Sequence, residues 1–137
     1  MTAQQHLEII SRLAREDGRY QTEAFLFVSD AIGKTVKWIQ EGIIHPLVED
    51  GEREEGQNSF HVSGKELLVG IRLLAQKRWG LLAPHVLRGW GVTGTEDFGE
   101  IVFLMVECEE LSWHKRECDN REDFADGFDF DTAFTVD

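Results

Sequence analysis

The sequence predicts a mainly α-helical chain with a small C-terminal β-hairpin: an α+β fold of about five helices with a winged-helix-like second half. Three observations predict it. Apolar residues recur at helical spacing through five successive segments. Ser63 and Thr95 stand where two of those helices would start, as capping residues. After the fifth segment the pattern changes to a weak alternation, followed by a turn signal at Asp119-Asn120. A chain of 137 residues is the size of one domain and can bury a core without metals or disulfides. The expected layout is N-terminal helices over 1–40, an acidic loop over 41–60, a winged-helix-like core over 61–122 and an acidic, Phe-rich tail over 123–137.

The first helix is expected over 3–16, where Leu7, Ile10, Leu13 and Ala14 share a face and Asp17-Gly18 ends it. The second is expected over 22–40, with Thr22 as N-cap and a stripe of Phe25, Val28, Ile32, Val36 and Ile39. Phe27, Ala31 and Trp38 widen the apolar surface beyond that stripe, which means either burial on more than one side or a patch left for a partner; Phe103 and Leu104 further on are likewise unspent apolar residues. Glu49 to Gly56 is charged, punctuated by glycine and without apolar periodicity, which marks a surface loop.

Ser63-Gly64-Lys65-Glu66 is a capping box, with Val62 and Leu67 placed for a hydrophobic staple. Leu67, Leu68, Ile71, Leu74 and Ala75 then form one arc of the third helix, with Lys65, Arg72 and Gln76 opposite and Gly80 as terminator. A shorter helix follows over 82–90, with Pro84 in its first turn. Thr95 is read as the cap of the fifth helix, whose buried stripe is Phe98, Ile101, Val102, Met105 and Val106. Glu96, Glu100 and Glu107 form its acidic face. Leu111 to Cys118 reads as one strand and Glu122 to Phe124 as its returning partner. Beyond them Phe124, Phe128, Phe130 and Phe134 give the tail enough aromatic area to dock on the body.

Charge excludes more than it identifies. The net charge is -12, but it is unevenly laid out. Residues 1–60 hold 6 Lys/Arg and 11 Asp/Glu, residues 61–95 hold 5 and 1, and residues 96–137 hold 3 and 14. The winged-helix order would put the helix from Thr95 in a DNA groove. That helix has no Lys or Arg and presents three glutamates, so phosphates would be repelled. Lys115, Arg116 and Arg121 on the expected wing are too few to reverse this. The basic middle, Lys65, Arg72, Lys77, Arg78 and Arg88, either receives an anionic partner or is a solvated face or pairs with the chain's own acids, such as those of the tail; a solvated or self-paired face is the ordinary reading.

Cofactor and metal motifs are missing. Cys108, His114 and Cys118 lack a fourth ligand and any CxxC spacing, so no metal is expected there. Asp126, Gly127, Asp129 and Asp131 have the wrong spacing for a calcium loop. There is no nucleophile elbow, phosphate-cradling loop or dinucleotide fingerprint. Met1 to Leu13 carries no signal-like apolar run, no window approaches a membrane span, and two thiols suit a reducing compartment. A cytoplasmic location without membrane contact or cofactor is expected.

Three stretches carry a resemblance: His61 to Leu68 with Gly70-Ile71-Arg72, Gly91-Val92 with Thr95 to Phe103, and Asp123-Phe124 with Gly127 to Phe130. Together the chain from about Tyr20 to Phe134 resembles a family of short bacterial proteins found in planctomycetes, verrucomicrobia and related groups. Cys108-Glu109-Glu110 departs from the small, apolar helix ending of that family, and 49–57 is longer than usual. The family has no assigned activity. The resemblance implies a bacterial, single-domain, cytoplasmic protein and transfers no catalytic residue.

Three functions are therefore weighed. The first is a non-enzymatic protein-interaction module, with an unidentified protein or a second copy as partner. The second is a winged-helix nucleic-acid-binding regulator using the basic middle. The third is an enzyme whose site the fold assembles from scattered groups such as His61, Arg72, Glu96 and Asp97.

Overall fold

The computed structural model describes residues 2–46, 62–108, 121–125 and 127–134. Helix α1 runs over Ala3–Asp17. Thr2 Oγ1 accepts from the Gln5 N–H at 3.1 Å and Gln5 Oε1 accepts from the Thr2 N–H at 2.8 Å, a reciprocal cap. Ile10 and Ala14 are buried as the periodicity requires, whereas Leu7 is exposed. Helix α2, Thr22–Gln40, begins after Gln21 without a side-chain cap, so Thr22 is the first helical residue and not the cap. This helix is buried on several sides. Of the two readings of Phe27 and Trp38, burial on a second side is the one observed: both are core residues, and neither is surface left for a partner.

Helix α3, Gly64–Trp79, starts as its sequence dictates. Ser63 Oγ accepts from the Glu66 N–H at 3.1 Å, and Glu66 Oε1 accepts from the Ser63 N–H at 2.9 Å. The staple residues Val62 and Leu67 are both buried. A 3-10 turn over Gly80–Leu82 leads into helix α4, Ala83–Gly89, and helix α5 spans Thr95–Glu107.

The core lies where α2 crosses α3, with α5 behind them and α1 laid along α2 and α5. The crossing is close because Gly70 has no side chain. A Cβ there would lie 1.7 Å from Thr35 Oγ1. The Thr35 hydroxyl itself donates to the Ala31 carbonyl at 2.6 Å, so a buried polar group is satisfied inside the contact. At one end of the α2–α3 pair, Phe27, Trp79 and Trp90 meet with ring centroids 5.2 to 5.8 Å apart.

The C-terminal hairpin is not formed. No strand occurs among the described residues. The expected return strand, Glu122 to Phe124, lies in a 3-10 turn over Arg121–Phe124, closed by the Ala125 N–H on the Glu122 carbonyl at 3.1 Å. A one-turn helix α6, Phe130–Ala133, follows. The reason is local to Phe124. Its ring is wholly buried against α3 and α5, and its carbonyl accepts the Thr95 hydroxyl at 2.6 Å instead of a ladder bond. The winged-helix description of the second half falls with the hairpin. Residues 47–60 of the acidic loop expected over 41–60, the strand expected over Leu111 to Cys118 and the Asp119-Asn120 turn lie outside the described residues, as do His61, His114 and Asp126.

The crossing gives a sign test on two glycines. Gly33, inside α2, has no neighbour within 4 Å of a built Cβ, so Gly33→Ala should stabilise by about 0.5–1 kcal/mol through helix propensity. Gly70→Ala should destabilise by about 1–3 kcal/mol or more through overpacking against Thr35. Denaturant midpoints decide it, and shifts of the same sign for both variants would contradict the crossing.

Candidate interaction site

The tail builds one wall of the site, and the sequence shows how it is held. Phe124 sits on Gly64 and Gly99. A Cβ on Gly64 would approach its ring to 2.8 Å, and one on Gly99 to 2.9 Å. Thr95 closes over the same turn: its hydroxyl donates to the Phe124 carbonyl at 2.6 Å and accepts from the Gly127 N–H at 3.0 Å. Thr95 is thus not the cap of α5. Gly94 occupies the cap position, and Asp97, three residues on, accepts from the Gly94 N–H at 3.3 Å and the Thr93 N–H at 2.9 Å. Further along, Phe128 packs on Phe130 and Phe134, and Phe130 on Phe98, with centroids 5.7 to 6.1 Å apart. Arg72 Nε donates to the Ala133 carbonyl at 3.2 Å, and Arg88 Nη2 pairs with Asp131 at 2.8 Å.

Between this tail and the outward face of α3 lies a groove of about 590 Å³. Leu68, Val69, Leu73, Ile43, Ile44 and Phe128 give it an apolar lining. Lys65, Arg72 and Gln76 run along the α3 wall, and Asp123 is on the tail side. Val69 is 42% exposed and Ile43 56% exposed, so the lining is open to an occupant. The volume is within the range of small-ligand clefts, but the cleft is half open and lacks a convergent set of polar groups.

The five predicted cations are separated. Lys65 and Arg72 line the groove. Arg88 is taken by Asp131 of the tail. Arg78 is paired with Asp30 and lies 5.8 Å from the centre of the Phe27 ring. Lys77 is exposed on α3 and is not part of the groove lining. The expectation that the chain's own acids take up the basic middle holds for Arg78 and Arg88. On the acidic face, Glu100 lies 3.7 Å from Arg19, Glu96 is exposed in the first turn of α5, and Glu107 is exposed at its end. Asp129 Oδ1 accepts from the Asp131 N–H at 2.9 Å and so caps α6. Among the described residues no group of three His, Cys, Asp or Glu could hold a metal ion, and Cys108 is a free thiol.

Of the groups weighed for an enzyme, the described ones, Arg72, Glu96 and Asp97, are not brought together. Arg72 is in the groove, whereas Glu96 and Asp97 are outside its lining. Asp97 serves a structural contact instead. Its Oδ1 accepts the Tyr20 hydroxyl at 2.5 Å, joining the α1–α2 turn to the start of α5. The same turn touches the α4–α5 connection, where the Gln21 N–H meets the Trp90 carbonyl at 3.0 Å. Gly91 has φ +93° there, and a Cβ would strike the Arg19 carbonyl oxygen at 2.4 Å. Burial works against the Asp97 carboxylate, but the bonds from Tyr20, Thr93 and Gly94 outweigh it and hold its pKa below the usual value. Burial, then the bond to Asp97, raises Tyr20 well above the usual tyrosine range.

Sequence reasoning did not single out Ile43, Ile44, Val69, Leu73 or Phe128 as lining residues. A signal was present for three of them. Ile43-Ile44 is an apolar pair just past Gly42, outside any helical stripe, and Val69 lies on the cationic stripe of α3 between Lys65 and Arg72. No family model, curated protein or solved structure matches this chain.

Two predictions arise here. Phe124→Ala should cost about 3–5 kcal/mol, and Gly99→Ala about 1–3 kcal/mol, with faster amide exchange over 121–134 in both. Unchanged exchange in that segment would contradict the seat. For Tyr20 the folded pKa is raised, so its contribution is full below the unfolded value near 10.0 and declines as pH rises above it. The stability difference between wild type and Tyr20→Phe should therefore be constant from about pH 6 to 9 and shrink from about pH 10 upward. Asp97 has the opposite sign: its contribution is present above its unfolded value near 3.8 and is lost as pH falls through the lowered folded value.

Proposed function

We propose that this protein is a non-enzymatic interaction module that receives another protein in the groove between α3 and the tail. One observation carries the reading: an apolar lining with Val69 and Ile43 open to solvent, bordered by Lys65 and Arg72. An exposed apolar patch with a polar rim is the usual anatomy of a contact surface. Among the described residues weighed for catalysis, Arg72 lies apart from Glu96 and Asp97, and Asp97 is engaged in a structural contact, which favours binding as the use of the groove. The nucleic-acid alternative loses support because Arg78 and Arg88 are neutralised by Asp30 and Asp131. No described helix is long and apolar enough to cross a membrane. The free thiol of Cys108 is in keeping with a reducing cytoplasm, the location we assign.

A photo-crosslinking residue at Val69 tests this in cells, with the same residue at exposed Glu107 as control. Discrete protein adducts are expected at Val69 and not at Glu107. They should disappear when Leu73→Glu is added. Adducts consisting of the chain itself would make the partner a second copy. A chain that stays monomeric at high concentration and yields no adduct at Val69 sinks the proposal.

A further inference from the structure

The proposal above leaves the partner's chemistry open, and the charges of the groove specify it. Lys65 and Arg72 stand two helical turns apart, about 10 Å along the axis of α3. Val69 lies between them on the same stripe, and Leu68 and Leu73 flank it. Against these two cations the lining has one acid, Asp123. Neither Lys65 nor Arg72 is in an ion pair among the described residues, although the chain is strongly acidic and its other arginines at α3 and α4 are paired. Arg72 spends its Nε on a tail carbonyl, a neutral acceptor.

Lys65 is the more informative of the two. It is the second residue of α3, at the positive end of the helix dipole, where a cation is disfavoured. The neighbouring Glu66 already completes the cap. The charge of Lys65 therefore contributes nothing favourable to the helix, yet it borders an open apolar groove.

We infer that the groove takes an acidic, apolar segment of a partner protein, with two carboxylates about 10 Å apart and an aliphatic or aromatic side chain between them. The carboxylates meet Lys65 and Arg72, and the apolar side chain rests on Val69 and Leu73. A segment in polyproline-II conformation meets that spacing with acids about three residues apart on one face, and a helical one with acids about seven apart. The inference rests on the interaction reading and adds the sign and spacing of the partner.

The test uses the full chain and fluorescein-labelled synthetic peptides. They carry Asp or Glu at either spacing around Leu, Ile or Phe, with matched Asn/Gln and Lys versions, and are read by fluorescence anisotropy. Acidic members should bind best. Lys65→Glu should weaken them about five- to tenfold and tighten the lysine versions by a similar factor. That exchange of preference is a readout that damage to the fold would not produce, and Lys65→Glu suits the helix dipole. Equal binding of acidic and amide versions, or indifference to Lys65→Glu, overturns the inference. If Val69→Asp still abolishes that binding, the interaction reading survives. If no peptide binds and Val69 yields no adduct in cells, both fail. Oligothymidylate that displaces the peptides in a Lys65-dependent way also overturns it, because the site would then be a general polyanion site.

Discussion

With its ring on Gly64 and Gly99 and its carbonyl on the Thr95 hydroxyl, Phe124 joins three segments far apart in the chain. The rest of the C-terminal architecture depends on that seat. Gly127 follows directly, and its N–H returns to the same hydroxyl, so one threonine fixes both ends of the turn. The tail then runs out over α3 and α4 and buries Phe130 and Phe134. The driving force is aromatic burial, worth a few kcal/mol per ring. The polar bonds give register: they decide which phenylalanine enters which space.

The electrostatics divide along the same line. The acidic tail is laid on the basic part of the chain, and Arg88 is neutralised by Asp131. An exposed pair of this kind adds little stability, about 0–1 kcal/mol. Its effect is selective. It consumes positive charge near α4 and leaves the remaining cations of the lining, Lys65 and Arg72, beside the apolar floor. A charge count over residues 61–95 suggested one basic surface; the tail turns it into a smaller and more specific one.

The helices were legible in the sequence because their causes are local. Ser63 and Glu66 are three residues apart and cap α3 wherever α3 goes. The apolar periods of α2, α3 and α5 report burial directly. What could not be read has causes that are distant in sequence. Phe124 among polar neighbours looks like one tooth of a strand, and only the space over Gly64 and Gly99 makes it a turn. Thr95 has the chemistry of a cap, but the carbonyl of a residue twenty-nine positions later competes for its hydroxyl, and Asp97 takes over the capping. Phe27 and Trp38 admitted two readings, burial on a second side or an exposed patch, and only the packing of the helix on its neighbours decides for burial. For the site, the cations were legible, but their division into paired arginines and open groove residues was not. That division depends on where the tail lies.

The groove and the tail are consequently one system. Lys65, Val69 and Arg72 belong to α3, but Asp123, Ala125, Gly127, Phe128 and Ala133 belong to the tail. Without the docked tail the α3 face would lack its second wall. Any occupant that touches both walls binds the docked state and not the undocked one. It must then stabilise the tail by RT ln(1 + [L]/Kd), about 2.7 kcal/mol at a hundredfold excess over Kd. The coupling is reciprocal, since whatever loosens Phe124 from its glycine seat also weakens the occupant. The residues that make the fold of this segment and those that make its binding surface overlap at Gly127, Phe128 and Ala133, and a single equilibrium governs both.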